Sequence, residues 1–172
     1  MLKFVGKPTV TFAEFPDEIA LIFSISNCPG TCKNCSEPEL RQDIGSELTP
    51  EILDKYISEN RGISVIGFMG GDRDHKEIQR LSKFIHENGL KVGMYSGMDE
   101  IDVVLLECLD FYKYGRWIPF EGPEETWKDQ RAGPLCLKNT NQVYLEKVGD
   151  EWINETKKFQ RKKINDWKSV IA

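Results

Sequence analysis

The chain has 172 residues, 40% hydrophobic and 30% charged, with a formal net charge of -5. That composition reads as one globular domain over residues 1–172, large enough to bury a core without disulfides. The acidic balance disfavours general nucleic-acid binding. No apolar run approaches the ~20 residues of a membrane span, and Met1-Leu2-Lys3-Phe4-Val5 lacks the long apolar region of a signal peptide. The expected location is the cytoplasm, where five cysteines, an odd count, would be thiols or metal ligands rather than disulfides.

Lys7 to Phe12 reads as an edge strand, because Pro8 cannot donate to a ladder. Pro16-Asp17 marks a turn, and Ile19 to Ile25 is an apolar run typical of a strand covered on both faces. A cysteine loop follows. A helix is expected from Thr49, with Pro50 at its first position and Gly62 beyond its end. Ile63 to Met69 reads as a second buried strand. Asp74 with Glu77 opens a helix carrying Ile78, Leu81, Phe84 and Ile85 on one face and ending at Gly89. Lys91 to Tyr95 is a third strand, Ile101 to Leu106 a helix, and Phe111 to Tyr114 a fourth strand. Gln142 to Lys147 reads as a strand, Gly149-Asp150 as a turn and Trp152-Ile153 as a return strand. A final helix from about Thr156 places Phe159, Ile164, Trp167 and Ile171 on one face. Lys157, Lys158, Arg161, Lys162 and Lys163 lie on the other, as a solvated surface or as a dock for an acidic partner.

Strand–helix alternation implies right-handed crossovers and parallel pairing. In such sheets the loops after the strands' carboxyl ends carry the chemistry. Three loops there stand out: Cys28 to Cys35, Gly70 to Asp72, and Ser96-Gly97.

Cys28-Pro29-Gly30-Thr31-Cys32-Lys33-Asn34-Cys35 sets three cysteines in a polar turn, unlike cysteines packed as small apolar side chains. Thiolates suit zinc or iron–sulfur clusters. Structural zinc takes four protein ligands, and an electron-transfer ferredoxin takes four cysteines per cluster. Here His75, His86, Cys108 and Cys136 are all far along the chain. Three cysteines would leave one iron of a four-iron cluster free for a substrate. Cys108 reads as core packing and Cys136 stays undecided. His75 and His86, on a surface helix, read as bystanders; Trp117, Trp127, Trp152 and Trp167 read as packing. Arg116 is a candidate contact to a partner or a substrate carboxylate.

The cysteine spacing after the first long strand resembles the radical S-adenosylmethionine superfamily. Phe68-Met69-Gly70-Gly71-Asp72 is similar to its Gly-Gly-Glu motif, and Tyr95-Ser96-Gly97 to its Ser/Thr-Gly segment. Tyr114-Gly115-Arg116, Gly133-Pro134-Leu135 and Thr140-Asn141-Gln142-Val143-Tyr144 are similar to the tail of one branch, the anaerobic ribonucleoside-triphosphate reductase activating proteins. The resemblance covers residues 15 to 147. It implies an α/β fold, a compact incomplete (βα) barrel with a mostly parallel sheet. It implies that Cys28, Cys32 and Cys35 ligate three irons of a [4Fe–4S] cluster, with S-adenosylmethionine on the fourth. An electron from a flavodoxin-like or other one-electron reductant would cleave that cofactor. The resulting radical would take a hydrogen atom from a glycine of the large reductase subunit.

On the same resemblance, Gly70 and Gly71 allow close approach of backbone to the cofactor, and Asp72 accepts from its ammonium. Ser96 and Gly97 lie near the methionyl or ribose portion, and Asn34 near the adenine. Asp72 stands where the motif has glutamate, and Asn34 where an aromatic is common. The alternatives are an activase of another glycyl radical protein, another small radical enzyme, or a non-catalytic zinc or electron-transfer module.

Overall fold

The computed structural model describes residues 1–32, 35–116 and 142–159. In chain order the elements are β1 (Lys3–Thr11), β2 (Ala20–Ile25), β3 (Ser46–Glu47), α1 (Pro50–Glu59), β4 (Val65–Met69), α2 (His75–Glu87), β5 (Lys91–Tyr95), α3 (Val103–Leu106), β6 (Phe111–Tyr114), β7 (Val143–Val148) and β8 (Glu151–Asn154). Short 3-10 turns cover Pro38–Arg41 and Thr156–Phe159. The terminal helix expected from Thr156 begins as the second of these turns; its remainder lies outside the described residues.

One eight-stranded sheet has the order β3-β1-β2-β4-β5-β6-β7-β8. Parallel pairing joins β2, β4, β5 and β6. The other four junctions, β1 with β3 and β2, and β7 with β6 and β8, are antiparallel. The expected incomplete (βα) barrel with a mostly parallel sheet is therefore corrected to an open mixed sheet with three α-helices among the described residues. The physical reason lies in the connections. Helical crossovers return a chain parallel, whereas a short link returns it antiparallel. Strand–helix alternation runs only from β2 to β6. Residues 12–19 carry β1 back along β2, and Gly149-Asp150 folds β8 onto β7.

β1 is also longer than expected and is not the outermost strand. Its partner β3 pairs only with Lys3 and Phe4, so the stretch around Pro8 still faces an unpaired side. The β1–β2 register slips between Val5 and Thr9.

The helices start where side chains satisfy free N–H groups. Thr49 Oγ1 accepts from Ile52 N–H at 3.4 Å ahead of Pro50. Asp74 Oδ1 accepts from Glu77 N–H at 3.4 Å, and Asp102 Oδ1 accepts from Val104 N–H at 3.0 Å.

Side chains alternate across the sheet. Leu21, Phe23, Ile66, Phe68, Val92, Met94 and Tyr112 face the helices and pack with Leu53, Ile78, Leu81, Ile85 and Leu105. The opposite face holds Ala20, Val65, Phe111 and Tyr144, covered by Phe15 and Phe159. Phe15 fills a slot made by two glycines paired across β4 and β5, Gly67 and Gly93. A Cβ on Gly93 would stand 2.3 Å from the Phe15 ring, and one on Gly67 2.6 Å from it. No helix among the described residues is long and apolar enough to cross a membrane.

Candidate thiol-lined site

The parallel strands β2, β4, β5 and β6 end at one edge of the sheet, and the loops that follow them enclose a cavity of about 210 Å³. Its lining includes Cys28, Cys32, Cys35, Gly70, Asp72, Ser96 and Gly97. Asn34, the remaining Gly-Arg-to-Tyr tail positions 117–141 and Cys136 lie outside the described residues.

The cysteine loop is held by backbone before any ligand is considered. Asn27, in the left-handed region at φ 62°, turns the chain out of β2. Asn27 N–H donates to Gln42 O at 2.9 Å and Cys28 N–H to Leu40 O at 2.8 Å. Arg41 Nη2 donates to the Cys32 carbonyl at 2.6 Å. Gly30 leaves room for the sulfurs: a Cβ there would stand 3.3 Å from Cys28 Sγ and 3.8 Å from Cys32 Sγ. Gly30 N–H also donates to Cys28 Sγ at 3.3 Å.

Burial pushes the Cys28 thiol up. The Gly30 N–H opposes that rise, and the negative charges possible on Asp72, Cys32 and Cys35 add to it. A cation bound among these groups would reverse that repulsion and favour thiolate. Among the described residues no set of three or more His, Cys, Asp and Glu side chains is arranged to hold a metal ion. The thiols share a cavity without forming a closed ligand cage. The donor chemistry nevertheless fits a three-thiolate iron–sulfur group. Three soft sulfurs line the cavity, with oxygen-bearing side chains of Ser36, Glu37, Asp72 and Ser96 around them.

The Gly70-Gly71-Asp72 turn follows β4. Gly70 at φ 102° and Gly71 at φ 107° adopt conformations that side chains rarely reach. Gly70 N–H donates to Tyr95 O at 2.9 Å, which leads the turn against the end of β5. Gly71 packs on Ile78 and does not line the cavity; it faces a separate polar pocket with Arg73 and Asp74.

Asp72 ends the turn and faces the cavity. Ser96 Oγ donates to its Oδ1 at 2.5 Å. Its Oδ2 is buried with no hydrogen-bond partner among the described residues. Burial raises the carboxyl's pKa; the Ser96 hydroxyl, then the Gly97 and Asp72 N–H groups, offset part of the rise. A buried acceptor without a donor is costly unless a ligand satisfies it. Ser96 is itself fixed, with N–H donating to Lys113 O at 2.7 Å and Oγ accepting from Met98 N–H at 3.1 Å. Among the described residues nothing stands within 4 Å of a Cβ placed on Gly97, so that backbone is open to close approach.

Lys113, a buried charged residue of the lining, escaped the sequence reading. Lys113 on β6 is buried, with Nζ 4.2 Å above the Tyr95 ring. Burial pushes it down to about 8, against the pull of Glu14. Tyr95 donates its hydroxyl to the Glu14 backbone carbonyl, which ties the 12–19 segment to the wall of the cavity. A lone lysine in the short apolar strand Phe111–Tyr114 was the available signal.

Of the other candidates, Gly115 and Gln142 also line the cavity, whereas Arg116, His86, Cys108 and Trp152 are not in its lining. Arg116 pairs with Asp99, with Nε donating to Oδ2 at 2.6 Å. Gln142 Nε2 donates to the Gly115 carbonyl at 3.0 Å, joining the start of β7 to the end of β6. His86 Nε2 lies 2.8 Å from Asp110 Oδ2, at the other end of α2. Cys108 packs against the core, its Sγ donating to Leu105 O at 3.3 Å, and Trp152 also packs there. No protein-family model matches this chain, and no curated protein matches it.

Proposed function

We propose that the chain is a radical S-adenosylmethionine activase that installs a glycyl radical on an anaerobic ribonucleoside-triphosphate reductase. One observation carries the reading. The three-cysteine loop, the Gly-Gly-Asp turn and Ser96-Gly97, far apart in sequence, line a single cavity at the carboxyl ends of the parallel strands. The resemblance of the same three segments to that superfamily supplies the chemistry.

In this reading Cys28, Cys32 and Cys35 lose their protons and hold a [4Fe–4S] cluster. When bound, that cluster supplies the electron that cleaves the sulfonium C–S bond of S-adenosylmethionine. The chain's own groups do the positioning. Asp72 Oδ2 has capacity for the methionine ammonium, while Ser96 keeps Oδ1 in place. Gly70 and Gly97 let the ligand lie against backbone. The apolar floor, Met69 and Tyr95, limits water around a reactive species. The partner is the large reductase subunit, and the electron source is a flavodoxin-like or other one-electron donor.

The test is anaerobic reconstitution with iron and sulfide, then electron paramagnetic resonance of the reduced protein with and without S-adenosylmethionine. A cluster signal that shifts on adding the cofactor, followed by a glycyl radical on the added reductase, is the expected result. A signal indifferent to the cofactor would make this an electron-transfer module, and tightly bound zinc without sulfide would remove the enzyme reading. Asp72→Asn should keep the iron content and weaken cofactor binding by about 1.5–3 kcal/mol, read from the same spectral titration.

A further inference from the structure

The Gly70-Gly71-Asp72 turn has two glycines, so Asp72 supplies its one side chain. Its position must come from ties made by its neighbours. Ser96 ties the carboxylate of Asp72. A second tie grips the same residue from behind. His75, the first residue of α2, places ring Nε2 2.9 Å from the Asp72 carbonyl oxygen and 3.1 Å from Asp102 Oδ2. A carbonyl and a carboxylate can only accept, so Nε2 carries a proton and donates to both. The other oxygen of Asp102 accepts from Val104 and Leu105 N–H at the start of α3. One imidazole thus joins the turn after β4 to the helix that follows β5.

We propose that His75 is a positioning residue for Asp72: by bridging the Asp72 carbonyl to Asp102 it sets where the Asp72 carboxylate stands in the cavity. The identity of the ligand rests on the function proposed above; the bridge itself does not.

Two measurements separate the two ideas. In metal-free full-length protein, nitrogen-15 spectra should show neutral His75 protonated at Nε2. The opposite tautomer would overturn the proposal, and this arm needs no variant. His75→Ala should shift the Asp72 carboxyl carbon and the Arg73 amide; His75→Gln, whose amide can still donate, should restore much of both shifts. In cluster-loaded protein, His75→Ala should weaken S-adenosylmethionine binding by up to about tenfold, the worth of one hydrogen bond, with iron content unchanged and His75→Gln close to wild type. Equal affinity for wild type and His75→Ala would overturn the proposal. A wild type that ignores S-adenosylmethionine would instead sink the proposed function, and the metal-free spectra would still decide the role of His75. Should His75→Ala not fold, the tautomer and the glutamine variant decide it.

Discussion

Lys113 shows how one side chain trades stability for placement. Its ammonium lies over an aromatic ring, and no carboxylate stands within ion-pair distance among the described residues. Below about pH 8 the charge is held in folded and unfolded chains alike, and its burial penalty is fully present. Between that value and the ordinary lysine value near 10.5, the unfolded chain binds more protons than the folded one. This residue's contribution to stability therefore rises with pH across that window. Lys113→Met, which keeps the length without the charge, should stabilise the protein by about 1–3 kcal/mol at neutral pH. The gain should shrink as pH climbs past 8 and vanish above the upper value. Urea melts at about pH 7 and pH 10 check it; a gain independent of pH would show that the penalty is not electrostatic. Asp72 behaves with the opposite sign: its raised pKa makes its charge a liability as pH rises through the carboxylate range.

Among the elements, the β1–β2 connection packs closely on the β4–β5 pair. Phe15 enters the slot over Gly67 and Gly93, and its ring packs edge-on to Tyr95 with centroids 5.3 Å apart. Gly93→Ala would drive a methyl into that ring and should cost about 1–3 kcal/mol. Adding Phe15→Leu should recover part of the loss, so that the double variant is less damaged than the two single changes together imply. Strictly additive melting data would place the strain elsewhere. The helices of this region were legible in the sequence because their signals are local: Thr49-Pro50, Asp74 with Glu77, and the apolar spacing of Ile78, Leu81 and Ile85. The slot was not, because Gly67 and Gly93 look like ordinary strand interruptions until the register sets them side by side. The same division holds in the site. Three cysteines, a Gly-Gly-Asp turn and Ser96-Gly97 carry distinctive chemistry on short segments. Lys113 meets Tyr95, 18 residues away, and His75 meets Asp102, 27 residues away, and only folding brings those pairs together.

At the scale of the whole molecule, the sheet divides into a parallel centre and two antiparallel margins. β2, β4 and β5 are paired on both sides and covered on both faces, whereas β3 is two residues long and β8 is exposed along much of its length. Hydrogen exchange should follow that plan, slowest at Ile66, Phe68 and Val92 and fastest along Glu151–Asn154. Equal protection of β8 and β4 would show that the margins and centre open as one unit. The barrel implied by the resemblance failed at this scale: residues 12–19 return β1 along β2, and Gly149-Asp150 folds β8 onto β7, with no crossover helix in either link.

The Phe15 slot has a consequence for descent. A ring that fits only where two neighbouring strands both lack a side chain binds positions 15, 67 and 93 into one inherited unit. A relative that gains bulk at either glycine should have surrendered the aromatic at position 15, and lineages that keep the phenylalanine should keep both glycines.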